Sequence, residues 1–367
     1  MQGGVLMSKF YFISVFLLTG VVFSDAQQRY LDQVFTQWTV TSDLIYGNTV
    51  NPETNQPVEL KLDLWEPSGD NELQRAVLIW GHGNQGQKND AKTMEVCQAY
   101  VRYGYVVLPI ETRWGSDQDY TNKPERLPYA AEDFKAAVRW ARANAGIHRL
   151  HPDWIANGGS SAGSAASFAG TYMENEGTSG NPGFPSQPNA EVFCSGGGDT
   201  VEMETGEPPI WIAHGTDDPL VPVLFSQMIE QRAKNIGIPV EAHYVPGIGH
   251  GGRDWMVAHM QYPAQFLYQQ MIAKPVQIRN ERRSTTVRSL YISPNPFNSF
   301  TTIYLNNFEG DQINLTIYDI TGKMIEEFIG FKNKIIPWNV PGQSAGTYLL
   351  KAQNEKEIQT RKLLSIK

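Results

Sequence analysis

Residues 58–65, V-E-L-K-L-D-L-W, alternate apolar and polar side chains, the pattern of a strand covered on one face. The pattern then changes. A-V-L-I-W (76–80) and Y-V-V-L-P-I (105–110) are short unbroken apolar runs, as expected of strands buried on both faces. Between them residues 91–103 carry apolar positions at helical spacing, and residues 130–145, A-A-E-D-F-K-A-A-V-R-W-A-R-A-N-A, do so again. Trp154-Ile155-Ala156 predicts a strand, followed by a glycine- and serine-rich turn and the small-residue helix A-G-S-A-A-S-F-A-G-T-Y. E-V-F-C-S, I-W-I-A-H and V-E-A-H-Y-V predict three more strands, with helices at about 223–236 and 254–273. Strands alternating with helices imply an α/β fold, a mostly parallel sheet with helices on both faces.

From residue 287 the helical periodicity disappears. Short runs such as L-Y-I-S, T-T-I-Y-L, I-N-L-T-I-Y-D and T-Y-L-L-K-A, separated by turn residues, predict a small all-β sandwich over 287–367. The segment 274–286 is basic and polar and reads as a linker. At the other end, Lys9 precedes an apolar run over 10–23 and then Ser24-Asp25-Ala26, with small residues at −3 and −1. This is the pattern of a secretory signal peptide over 1–26, too short for a spanning helix, so a mature chain from Gln27 with no stable membrane span is expected. The expected divisions are therefore 1–26, 27–273, 274–286 and 287–367.

Composition narrows the partners. The formal net charge of −8 is concentrated in residues 27–273, which carry −13. Such a body repels phosphate backbones, which argues against nucleic acid. The two cysteines, Cys97 and Cys194, do not make a disulfide framework. Both read as buried small hydrophobes, with a pairing left open by the oxidising destination. No His/acid spacing resembles a zinc site, so neither metal nor cofactor is expected.

The candidate chemistry begins at N-G-G-S-S-A-G-S, residues 157–164. Gly-x-Ser-x-Gly fits one register only, Gly159-Ser160-Ser161-Ala162-Gly163; Ser160 and Ser164 would need glycine where Ala162 and Ala166 stand. A strand, this turn and a helix are the context of a nucleophile elbow, in which a strained turn exposes the hydroxyl at a helix N-terminus. A serine nucleophile needs a base, and the base an orienting carboxylate. Downstream, Asp217 and Asp218 fall just past I-W-I-A-H-G, and His250 lies in the glycine-flanked loop P-G-I-G-H-G-G after the next strand. His243, His148, His151, His259 and His214 fit the role of base less well; His214 precedes the acid on its own strand. An acyl-transfer site also needs donors for an oxyanion. Ala162 N–H is one, and the loop Gly81-His82-Gly83-Asn84-Gln85-Gly86 is the source of the other.

With these pieces in place, residues 75–273 resemble the α/β-hydrolase superfamily, close to the secreted group that includes feruloyl and acetylxylan esterases. The matching pieces are G-H-G-N-Q-G, A-E-D-F-K-A-A-V-R-W, G-G-S-S-A-G, H-G-T-D-D-P-L-V-P and G-I-G-H-G. The resemblance implies ester hydrolysis by a triad of Ser161, Asp218 and His250, the acid standing three residues after Gly215, with Asp217 as the fallback. It puts the second oxyanion donor at Gly83 or Asn84, where Asn84-Gln85 departs from the family's H-G-G-G. Trp114 is the candidate substrate wall. The short segment Asp199–Glu207 implies an open cleft rather than a large lid, and the Gly/Pro-rich stretch 174–189 a long loop beside the nucleophile helix. The expected substrate is a small-molecule or polymer-linked ester, for instance on plant or algal polysaccharide. A serine peptidase of the prolyl-oligopeptidase type shares this triad order but normally carries a propeller, and a non-enzymatic binding protein of this fold normally lacks a triad member.

The C-terminal pieces P-N-P-F-N, I-N-L-T-I-Y-D-I-T-G-K-M-I, A-G-T-Y-L-L-K-A and the final K-L-L-S-I-K are similar to the sorting domain of type IX secretion. That resemblance implies the type IX machinery as a partner and a destination at the cell surface or outside a Gram-negative bacterium.

Overall fold

The computed structural model describes residues 28–273 and, beyond them, 290–293, 300–305, 312–331, 334–339, 346–354 and 358–365. The expected signal segment 1–26 and linker 274–286 lie outside the described residues.

Eight strands form one sheet: β1 (Trp38–Asn51), β2 (Gln56–Pro67), β3 (Arg75–Gly81), β4 (Val106–Ile110), β5 (Leu150–Ser160), β6 (Ala190–Cys194), β7 (Ile210–Gly215) and β8 (Val240–Val245). Their spatial order is β1-β2-β4-β3-β5-β6-β7-β8. The first two are antiparallel to each other, and β2 is antiparallel to β4; every pair from β4 to β8 is parallel. The helices are α1 (Ala91–Arg102), α2 (Leu127–Ala143), α3 (Ala145–His148), α4 (Ala162–Tyr172), α5 (Leu224–Ile236), α6 (Gly252–Ala258) and α7 (Gln261–Leu267).

The unbroken apolar runs are explained by the two-sided cover. On β3, Ala76, Leu78 and Trp80 enter one core with α1, α6 and α7, while Val77 and Ile79 enter a second core with α2. Period-two geometry sends neighbouring side chains to opposite faces, so a strand between two helix layers is apolar at every position. The antiparallel β1, exposed along much of its length, is polar at many positions.

One predicted element divides. The helix expected over 254–273 is α6, then α7, then a π-helical turn over Tyr268–Ile272. Pro263 is the third residue of α7. It has no N–H to donate and its ring crowds the carbonyl four residues back, so it belongs in a helix's first turn and forces the break at His259-Met260. Both cysteines are buried and free; the Cys194 thiol sits 3.7 Å from Met256 Sδ.

The C-terminal described residues form two antiparallel sheets from β9 (Leu290–Ser293), β10 (Phe300–Leu305), β11 (Gln312–Asp319), β12 (Met324–Phe331), β13 (Lys334–Asn339), β14 (Gly346–Gln353) and β15 (Ile358–Ser365). The orders are β13-β10-β9 and β12-β11-β14-β15. Ile303 and Leu305 of one sheet and Leu315, Ile317 and Leu350 of the other share a single core with Trp338. The sequence did not predict β12 and β13. Residues 324–331 and 334–339 mix Glu, Lys, Gly and Pro into their apolar positions, which blurs the period-two signal.

Candidate active site

Because β3 to β8 run parallel, their carboxyl ends share one edge, and the loops leaving that edge carry every candidate residue. Gly83 and Asn84 follow β3, Ser161 follows β5, Asp218 follows β7 and His250 follows β8. Open α/β sheets bind ligands along such an edge.

Ser161 adopts φ 57° and ψ −119°, a backbone conformation that side-chain-bearing residues avoid. Its surroundings enforce it. A Cβ added at Gly159 would lie 2.3 Å from the Gly163 carbonyl carbon, and one added at Gly163 would lie 2.2 Å from Gly81 O. The end of β3, the turn and the first residues of α4 therefore close on one another with glycine at both flanks. The Ser161 N–H donates to Cys194 O at 2.9 Å, tying the turn to β6. Ser161 occupies the N-cap position of α4, yet its hydroxyl makes no capping bond. Serine at this position normally spends its oxygen on the helix amides; here the hydroxyl is left free of that duty.

Asp218 and His250 meet. His250 Nδ1 lies 2.7 Å from Asp218 Oδ2. The other carboxylate oxygen, Oδ1, accepts the N–H groups of Leu220 at 2.9 Å and Val221 at 3.0 Å. Burial of Asp218 favours its neutral form, but the Val221 N–H, His250 and the Leu220 N–H outweigh it and hold the carboxyl below the ordinary aspartate range. Asp217 is exposed and accepts the Thr216 hydroxyl at 2.6 Å, one residue away in sequence but with none of these partners. Among the described residues the Ser161 hydroxyl and the His250 ring do not share a hydrogen bond. They are linked through the end of β6: Cys194 O takes the Ser161 N–H, and the hydroxyl of the next residue, Ser195, takes the Gly252 N–H at 3.0 Å, two residues past His250.

The β3 loop closes the opposite side. A Cβ on Gly83 would stand 3.5 Å from Ser161 Cβ, so this backbone approaches the nucleophile turn directly. Gln85 N–H donates to Ser116 O at 2.8 Å and Gly86 N–H to Gly83 O at 3.0 Å, which fixes the loop's course; among the described residues the amides of Gly83 and Asn84 donate to no backbone carbonyl. The loop is anchored further along by Lys88, buried beside Asp63 at 2.7 Å and Asp43 at 3.0 Å. His82 is also buried; its Nε2 is 3.0 Å from Gln118 Nε2 and its Nδ1 2.9 Å from Gly83 O. Burial pushes the His82 pKa down.

Trp114 does not line this edge as expected. It is 7% exposed and belongs to the core beneath α2; its Nε1 donates to Arg126 O at 3.2 Å and the Arg126 guanidinium covers its ring at 4.7 Å. With 7% of its surface exposed, the indole has little area left for a substrate. The segment between β6 and β7 holds one short 3₁₀ turn, Thr200–Glu202, in place of a lid. The loop over 174–189 is pinned from below, by Arg139 to Gly180 O and Glu176 O and by Arg142 to Pro185 O and Gln187 O. No group of three or more His, Cys, Asp or Glu among the described residues is arranged to hold a metal, and no helix among them is long and apolar enough to cross a membrane.

Two further groups matter here, His214, which sequence reasoning set aside, and Ser195, to which it gave no role. His214 contacts the same carboxylate as His250, with its Nε2 3.1 Å from Asp218 Oδ2. Ser195, buried with φ 50°, links β6 to the His250 loop. For His214 a signal existed: a histidine at an inward position of an apolar strand, four residues before the candidate acid. For Ser195 there was none, because its role depends on which strand lies beside β7.

A sheet of this order, mostly parallel between helix layers, with a strained serine after β5 and an Asp–His pair after β7 and β8, has the α/β-hydrolase fold. Comparison with known proteins agrees. Residues 62–193 match the family model BD-FAE, and residues 291–367 match the Secretion system C-terminal sorting domain. That domain directs export by type IX secretion to the cell surface or exterior. No curated protein matches the chain. Among solved structures, a thermophilic esterase, Est2, of the Planctomycetes species Thermogutta terrifontis with propionate bound is 21% identical, with a TM-score of 0.52, over 64% of this chain and 96% of that one. A truncated form of a carbohydrate esterase from gut microbiota is 22% identical, with a TM-score of 0.52, over 65% of this chain and 97% of that one. At these identities the likeness is one of fold.

Proposed function

We propose that the chain is an exported serine hydrolase that cleaves carboxylic esters through Ser161, His250 and Asp218. The observation that carries this reading is the 2.7 Å contact between His250 Nδ1 and the buried Asp218, on the sheet edge that also bears the strained Ser161. With Nδ1–H given to Asp218, the His250 Nε2 is unprotonated and accepts the Ser161 proton as Oγ attacks the ester carbonyl. The carbonyl oxygen becomes an oxyanion, for which the free amides of Ala162 and of Gly83 or Asn84 are the donors. His250 then protonates the departing alcohol, leaving an acyl group on Ser161. Water, deprotonated by the same imidazole, releases the acid and restores the serine.

The setting supports a substrate class. An enzyme addressed to the cell exterior, with no lid between β6 and β7, suits esters displayed on large molecules, and plant or algal polysaccharide is the proposed carrier. A panel of acetyl, butyryl, long-chain, feruloyl and aminoacyl substrates, with Ser161→Ala as control, tests the reading. Ester turnover abolished in Ser161→Ala supports it. Cleavage of aminoacyl amides in preference to esters would replace it with a peptidase, and no turnover of any substrate would leave a binding protein.

A further inference from the structure

His214, the penultimate residue of β7, is fully buried and stands four residues before Asp218. Its Nε2 faces two acceptors: the Val221 carbonyl at 2.9 Å and Asp218 Oδ2 at 3.1 Å. Neither can donate, so Nε2 must carry the proton. Its Nδ1 lies 2.6 Å from the hydroxyl of Ser226 on α5, also buried. A neutral ring with the proton on Nε2 leaves Nδ1 as acceptor, so the serine hydroxyl donates to it. Both ring nitrogens and the ring plane are thereby fixed.

Resting on the triad reading above, we infer that His214 is a positioning residue for the catalytic acid, held in one tautomer by Ser226. It acts in two ways. The bond to Val221 O closes the turn whose Val221 N–H holds Asp218 Oδ1 at 3.0 Å, so the carboxylate cannot rotate away from His250. The Nε2–H dipole also points positive charge toward Oδ2, the oxygen that receives His250. Asp218 thus sits between two imidazoles of different duty: one carries the proton of the reaction, the other only holds the acid in place. Burial lowers the His214 pKa, which keeps that ring neutral as the role requires. Other titratable groups near β7 do not compete for it. Tyr244, the register partner of His214 on β8, donates to Glu230 of α5 at 2.9 Å, and Asp217 is taken by Thr216.

The test compares His214→Phe, His214→Gln and Ser226→Ala with the unsubstituted protein, measuring kcat, KM and the pH dependence of kcat/KM on a small ester. His214→Phe removes the donor and keeps a planar aromatic ring. Its kcat should fall on the order of 10²-fold with KM little changed, as expected when a catalytic group loses its alignment. The acid limb of its profile should move to higher pH, because a carboxylate with one donor fewer holds the charged imidazole more strongly. His214→Gln, which retains an N–H donor, should recover part of the rate, and Ser226→Ala should show a smaller change in the same direction. A rate loss that only follows the folded fraction, with the acid limb unmoved, would overturn the inference. Should His214→Phe fail to fold, an unchanged kcat and acid limb in Ser226→Ala would overturn it equally. If the unsubstituted protein hydrolyses no ester, the failure belongs to the functional reading and not to this one.

Discussion

Ser161 and Asp218 stand at the ends of strands in the same sheet, and their surroundings are opposite. Ser161 is strained at φ 57° and its hydroxyl has no capping partner. Asp218 receives two backbone amides on one oxygen and two imidazoles about the other. The proposed nucleophile is held by backbone, through glycines that admit no Cβ, and its hydroxyl makes no capping bond. The acid is held by its own side-chain bonds and is satisfied completely. A group that must form and break bonds has to stay free, whereas a group that only orients its neighbour works better the more firmly it is fixed.

The largest expected effect tests the free atom. Ser161→Ala should lower kcat by roughly 10⁵-fold or more while leaving the thermal transition in place, since triad members act as a unit. Ser160→Ala should retain substantial turnover, and comparable losses from both would show that the turn has been read in the wrong register. Next, Asp218→Asn should cost about 10⁴-fold, the loss expected when an imidazole is left in the wrong tautomer. Asp217→Asn should remain near the unsubstituted rate, and the opposite ranking would transfer the role to Asp217. Asp218 is held below the ordinary carboxylate range, so it stays ionised at mildly acidic pH, and a fall of kcat/KM there reports a histidine.

The third prediction attacks the backbone half. Gly163→Ala forces a Cβ within 2.2 Å of Gly81 O, and overpacking of this kind costs about 1–3 kcal/mol. Its thermal midpoint should drop by several degrees or the protein should fail to accumulate, whereas His250→Ala should lose activity and keep its midpoint.

A second buried carboxyl extends the comparison. Glu191, the second residue of β6, is fully buried, and among the described residues its carboxyl accepts the hydroxyls of Ser167 at 2.5 Å and Thr171 at 2.7 Å. Burial outweighs these bonds and pushes its pKa up to about 8. Asp218, with backbone amides and imidazoles, goes down; Glu191, with two hydroxyls, goes up. A carboxyl whose folded pKa is raised binds its proton more tightly in the folded state. Stability is therefore greatest below its ordinary pKa and declines as pH rises toward 8, where the folded protein must ionise a buried acid. Glu191→Gln should remove that decline, raising stability at pH 9 by on the order of a few kcal/mol with little change at pH 5. Parallel loss in both proteins between pH 6 and 9, followed by calorimetry, would refute the assignment.

The smallest expected effect concerns the two ends of the chain. Residues 27–273 contain the whole proposed triad, so this truncated chain should hydrolyse small esters within about twofold of the rate for residues 27–367. In a host with type IX secretion, residues 1–273, which keep the expected signal segment, should accumulate in the periplasm. Activity lost on truncation would mean that the sandwich supports the site, and export without the sandwich would move the address elsewhere.

The apolar runs, helical spacings and Gly-x-Ser-x-Gly register are local signals. They were enough to predict the parallel sheet and to single out Ser161, in the strained turn after β5, as the candidate nucleophile. The Asp-His pairing was legible because chain order and strand ends constrain it. Other features arise only when segments distant in sequence meet. Pro263 dividing the last helix was visible in the sequence but became decisive only against the packing of α6 and α7. Trp114 read as a wall until Arg126 and the core enclosed it. His214 read as a bystander on a strand until the turn after β7 folded the carboxylate back beside it. Glu191 is one more polar letter in E-V-F-C-S; only the placement of β6 between β5 and β7, beneath α4, makes it a buried acid. Periodicity reports which face of an element is covered, but not by what, and the charge state and partners of a buried polar group are set by what covers it.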